Sequence, residues 1–218
     1  MDGVEARWEC GTEHQWTQEQ AKSLAKVITA QMRRPKRRTC PGLLGGRPEH
    51  WSVLRSVEGG LERAGDLLAG MALGHTSPEV MATHARSEVI TPEKSAGGLR
   101  PLLMGSACRR QGMRGVSKLL RSQIAAACGP DQLGTGAPDG CTRGYHAARS
   151  KCLRNHEHGI VARGIASAHQ NLDRKWAAQH VTQHVPSLLQ PFTVWYARSV
   201  QHCWRANSGQ LYAVLSQR

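Results

Sequence analysis

Phenylalanine occurs once in these 218 residues, so any aromatic packing rests on six Trp and three Tyr. Acidic residues are also few. Sixteen Asp and Glu stand against 29 Lys and Arg, a formal charge of +13. A surface this basic attracts polyanions, chiefly nucleic acid, although a solvated basic surface has the same composition. Paired cysteines are missing as well. The seven Cys are odd in number and contain no Cys-x-x-Cys, which argues against a disulfide framework or a zinc ribbon. Reduced thiols and an intracellular location are expected. No window approaches the run of about 18 apolar residues that a membrane span requires. The first ten residues carry acids and lack the apolar stretch of a signal peptide.

What remains reads as helices interrupted by short hairpins. Thr17 and Gln20 form a capping-box pair with Trp16 just outside, and Ala21, Leu24, Ala25, Ile28 and Met32 share one helical face. Pro35 ends that helix inside the run Arg33-Arg34-Pro35-Lys36-Arg37-Arg38. Those cations suit a linker, a nuclear localisation signal or a phosphate patch. Residues 1–40 are thus assigned as an N-terminal helix and basic linker, and residues 41–218 as one α+β domain. Pro48–Leu54 and Leu61–Met71 read as short helices, and Ser77-Pro78-Glu79 caps a third.

Val89-Ile90 and Leu99–Met104 flank the turn Lys94-Ser95-Ala96-Gly97-Gly98, a β-hairpin with Lys94 and Arg100 beside its tip. Ser106 caps a long helix reaching Cys128, weakened by Gly112 and Gly115 and stopped by Gly129-Pro130. Cys141–Cys152 is expected to be helical and Gly159–Ala166 a strand. Asp173–His184 and Leu188–Val200 read as helices. Cys203–Ala206 and Gln210–Leu215 flank the turn Asn207-Ser208-Gly209, so the sequence closes on a second hairpin.

Four stretches in this order resemble reverse transcriptases of the non-LTR retrotransposon kind. The first is Pro41-Gly42-Leu43-Leu44-Gly45 followed by Glu49-His50-Trp51. The second, and most specific, is Val89–Lys94, then Gly97-Gly98-Leu99-Arg100-Pro101-Leu102, Gly105 and Arg109-Arg110. The third is Gln132-Leu133-Gly134, Gly136, Pro138, Gly140-Cys141 and His146. The fourth runs through Arg174, Pro186-Ser187-Leu188, Pro191-Phe192, Trp195-Tyr196 and Ser208-Gly209. The resemblance implies incomplete fingers (41–150) and the start of a palm (151–218). It gives Lys94 and Arg100 the role of clamping a nucleotide triphosphate, where two cations neutralise charge in the transition state. Arg33, Arg34, Lys36, Arg37, Arg38, Arg109 and Arg110 become candidate nucleic-acid contacts.

The same resemblance exposes what the sequence lacks. The family holds two Mg²⁺ on three aspartates. Aligned through Arg174, the first falls on Gly164, and a shift of one residue puts it at Arg163; no acid lies between Gly159 and Leu172. The Tyr-x-Asp-Asp hairpin that supplies the other two does not occur in these residues, and no thumb follows. No catalytic residue and no metal ligand is therefore assigned, and a polymerase relic without activity is expected. The rival readings are a non-catalytic module that binds RNA or DNA weakly and without sequence preference, and a translated pseudogene fragment with no function. No membrane contact is expected.

Other patterns carry less. His180 and His184 are spaced to share a metal, but no Glu follows His180 as a metalloprotease motif requires. The glycine-rich loop Gly134–Gly140 lacks the Lys-Ser/Thr of a P-loop. Cys141 with His146 has nothing to orient it as a thiol nucleophile. Trp195-Tyr196 and Trp204 suit either base stacking or core packing.

Overall fold

Helix α1 (Gln18–Met32) begins at the expected cap. Thr17 Oγ1 accepts the Gln20 N–H at 3.3 Å, and Gln20 Oε1 accepts the Thr17 N–H at 2.8 Å. The computed structural model describes residues 14–35, 39–93, 95, 97–134, 138–155, 157, 159, 161, 172–197, 200–206, 208 and 210–215. Leu24, Ile28 and Met32 recur every fourth residue and are fully buried, the stripe that a 3.6-residue period dictates. They press on α2 (Gly60–Ala72) and α4 (Ala107–Leu119), which contribute Leu61, Leu68, Ala72 and Val116 to one shared core.

Glycines let these three helices close. A Cβ on Gly65 of α2 would lie 2.1 Å from Thr29 Oγ1 and 2.9 Å from the Ala25 carbonyl oxygen of α1. A Cβ on Gly115 of α4 would lie 2.5 Å from Ile28 Cγ1. Gly112 and Gly115, read from sequence as weak points of a helix, thus sit where α4 meets α2 and α1.

Of the two short helices expected, Pro48–Leu54 forms as a 3₁₀ segment (Pro48–Ser56) and Leu61–Met71 as α2. Ser77 caps α3 (Pro78–Ala85) as read, with its oxygen accepting the Val80 N–H. The chain then forms β1 (Ser87–Ile90) and β2 (Leu102–Gly105), paired antiparallel as expected. The long helix after Ser106 is broken: α4 stops at Leu119 and α5 (Arg121–Cys128) follows. Leu120 turns at φ −91°, ψ 10° and buries its own side chain, and α5 keeps Ile124 against the core but buries no residue fully. α6 (Gly140–Arg154) and α7 (Arg174–His184) follow. Most of the strand expected at 159–166 lies outside the described residues.

The helix read over Leu188–Val200 is shorter. A 3₁₀ turn (Pro186–Leu188) leads into α8 (Leu189–Tyr196), and the chain then extends into β3 (Gln201–Arg205) and β4 (Leu211–Leu215). β3 and β4 form the expected second hairpin. β3 also pairs parallel with β1, so both hairpins share one sheet in the order β2-β1-β3-β4. The fold is therefore α+β. Among the described residues, no helix is long and apolar enough to cross a membrane.

One buried side chain ties the carboxy-terminal part to the helices. Gln190 of α8 accepts the Trp16 N–H at 2.6 Å and donates to the Leu73 carbonyl at 2.8 Å. The Trp16 indole N–H adds a bond to the Ser187 carbonyl at 2.6 Å.

The glycine contacts separate two substitutions that helix propensity alone would treat alike. Gly65→Ala is expected to cost about 1–3 kcal/mol, because the Ala25 carbonyl cannot move without α1. Gly70→Ala, whose Cβ would find its nearest atom at 3.9 Å, is expected to gain up to about 1 kcal/mol. Urea denaturation of both variants measures the difference; equal effects would contradict the packing.

Candidate nucleotide and nucleic-acid surface

The first hairpin keeps one register beyond its strands. Ile90 pairs with Leu102, and Glu93 forms a bridge with Leu99 three residues further on. The Arg100 N–H donates to the Pro92 carbonyl at 2.9 Å between them. Gly97 and Gly98 both take positive φ, +84° and +82°, which only glycine adopts at little cost. Arg100 is exposed, and among the described residues no carboxylate pairs with it. Lys94, its expected partner, lies outside the described residues.

The other candidate cations divide. Arg33 pairs with Glu62 at 2.9 Å, both exposed, and its carbonyl accepts from Arg55. The Glu62 carboxyl is held below its ordinary value by a hydrogen bond to its own backbone and then by Arg33. Arg34 is exposed and open to solvent. Lys36, Arg37 and Arg38 lie outside the described residues.

Arg109 and Arg110 are half-buried and bond backbone carbonyls of the fold. Arg109 donates to the Ala85 carbonyl at 3.0 Å, with its guanidinium 5.3 Å from the Trp195 ring and 5.2 Å from the Tyr196 ring. Arg110 donates to the Cys40 and Pro41 carbonyls, and its Nε is buried without a partner. Both guanidinium groups are spent pinning neighbouring backbone to α4. In sequence, a structural arginine and a phosphate contact look the same.

Residues 135–137 of the glycine-rich loop lie outside the described residues, and its two ends meet at Gln132 and Leu133. Gln132 Oε1 accepts the Gly134 N–H at 2.9 Å, and Gly140 packs so closely on the Leu133 carbonyl that no Cβ fits. Cys141 and His146 are both exposed and form no nucleophilic pair. The His180 and His184 rings stack on each other at 5.7 Å, with Trp176 against His180. Among the described residues, no group of three His, Cys, Asp or Glu could hold a metal ion.

Three features were not read from sequence. An apolar cavity of about 370 Å³ lies between the 3₁₀ segment, α3 and the start of α4, lined by Trp51, Leu54, His84 and Ala107. Nothing in local periodicity signals it. On its wall His84 Nδ1 meets Ser106 Oγ at 3.1 Å. His202 of β3 is buried with Nδ1 unpartnered. The third feature is that Trp195 is buried whereas Trp204 is exposed, which separates core packing from an accessible ring.

Comparison with family models, curated proteins and solved structures finds no match.

Two outcomes follow from these contacts. Arg109→Ala is expected to destabilise the fold by about 2–3 kcal/mol, through a lost charged hydrogen bond and two ring contacts. Arg100→Ala is expected to stay within about 0.5 kcal/mol, as exposed sites do. Chemical denaturation distinguishes them, and equal stability of the two variants would contradict the division.

Burial pushes the His84 imidazole below its ordinary value. Burial does the same to His202, helped by the charges of Arg109 and Arg174. The unfolded chain therefore binds protons that the folded chain resists. The stability these histidines contribute is full above about pH 6.5 and falls as the pH drops below it. The urea midpoint is expected to decrease from about pH 7.5 to 5.5, and to decrease less in His84→Gln and His202→Gln. A flat profile would contradict their burial in neutral form.

Proposed function

We propose that this chain is a relic of an RNA-directed DNA polymerase of the retrotransposon kind, which binds RNA or DNA through a basic surface and synthesises nothing. The observation that carries the reading is the hairpin between Ser87 and Gly105. Its single register and paired left-handed glycines hold Arg100 on an open, cationic turn. A turn flanked by cations is the element that the resembled enzymes close on a polyphosphate. The charge of +13 supports the same reading, because a basic surface attracts a polyanion. Nuclear location belongs to the same proposal and rests on the Arg33–Arg38 run.

The absence of synthesis is argued from the donors themselves. In-line phosphoryl transfer on two metals needs carboxylates that bridge them. Gly164 and Arg163 supply none, and no Tyr-x-Asp-Asp occurs in these residues.

Primer extension with Mg²⁺ or Mn²⁺ is expected to stay at the level of a heat-killed control, also for Gly164→Asp. Oligonucleotide binding is expected to be weak and blind to sequence. Its log K should fall linearly with log salt, by about 0.9 per phosphate neutralised on duplex DNA. Extension above control would refute the loss of catalysis, and binding indifferent to salt would refute the electrostatic contact.

A further inference from the structure

The four strands place one residue each in a row across the sheet: Leu103 of β2, Val89 of β1, Trp204 of β3 and Tyr212 of β4. Residues directly paired in a sheet stand on the same face. This row is open. Leu103 is 54% exposed, Trp204 42% and Tyr212 45%, with Val89 half-buried between them. The Trp204 and Tyr212 rings lie 5.6 Å apart with 34° between their planes. The adjoining row on the same face, Gly105, Ser87 and His202, turns inward, and Ser87 and His202 are buried.

The charge around the row is one-sided. Within the four strands this face carries no carboxylate. Glu88 alternates to the opposite face, where it pairs with Arg205 at 3.1 Å. Along the hairpin the first acid in register with the face is Glu93, beyond β1 toward the tip. At the other end, Arg109 closes off the inward-turned row, its Cδ 3.6 Å from where a Cβ on Gly105 would stand.

We propose that the Leu103–Val89–Trp204–Tyr212 row is a stacking platform for the bases of a single-stranded nucleic acid. The proposal rests on the nucleic-acid-binding reading above and assigns it a site. Exposed rings offer flat apolar surface to any base, and unpaired bases alone have faces free to stack on them. With no carboxylate on the strands of this face, the phosphates that such a strand carries meet no like charge there. A second copy of the chain fits this face worse, because each copy brings a charge of +13 to the contact.

The test is fluorescence anisotropy of the full chain with a labelled oligothymidylate of about 15 nucleotides, beside a duplex of the same length. Wild type is expected to prefer the single strand. Trp204→Ala and Tyr212→Ala are each expected to weaken that binding by about tenfold and to leave its salt slope unchanged. Trp204→Phe should retain most of the affinity. Trp204→Leu, which keeps an apolar side chain and removes the ring, should lose it, and circular dichroism confirms that each variant folds. Unchanged binding by the folded alanine variants, with wild-type binding still salt-dependent, would overturn the platform and leave the basic-surface reading standing. Full binding by Trp204→Leu would overturn stacking as the mechanism. A scattering mass of two copies that Trp204→Leu returns to one would give the face to self-association instead. No binding by wild type would overturn both readings.

Discussion

The amide of Gln190 is the constraint on which the arrangement turns. It is buried, it takes the Trp16 N–H ahead of α1, and it gives a hydrogen to the Leu73 carbonyl at the end of α2. A buried amide left without these partners costs far more than the pair contributes in excess of water. α8 is therefore held where both bonds can be made. Its end then feeds β3 onto β1, which makes a four-stranded sheet out of two hairpins that are far apart in sequence. Arg109 reinforces the same junction from α4 by bonding the Ala85 carbonyl just before β1 and lying over Trp195 and Tyr196 of α8.

That architecture explains why the cations have two fates. Where helix ends and strand starts converge, arginines satisfy backbone carbonyls, because a guanidinium reaches several acceptors and keeps its charge. Where the chain turns out into solvent, at Arg34 and Arg100, they remain available to a polyanion. A basic chain of this kind is thus built partly from its own arginines, and net charge alone overstates what is free for a ligand.

Local chemistry was legible. The Thr17–Gln20 box, the Ser77 cap and both hairpins stand where residue type and spacing put them. Long-range pairing was not. No local signal joins Ser87 to His202, or Gln190 to Trp16, because each contact depends on packing between distant segments. The break at Leu120 escaped because Leu is a good helix former, and its turn serves the core rather than its own propensity. Of the candidate site, the Arg100 hairpin was legible from its glycines and register. The internal roles of Arg109 and Arg110 were hidden, since their partners are backbone carbonyls without sequence identity.

The most direct test of the Gln190 junction is amide hydrogen exchange, segment by segment, in wild type and Gln190→Ala. In wild type, β1 and β3 are expected to open together with α1 and α2, as one cooperative unit. In Gln190→Ala, α8, β3 and β4 should lose protection first while α1, α2 and α4 keep theirs. Unchanged protection of β3 and β4 in the variant would contradict the account, because the sheet would then be assembled without the amide that is held to place it.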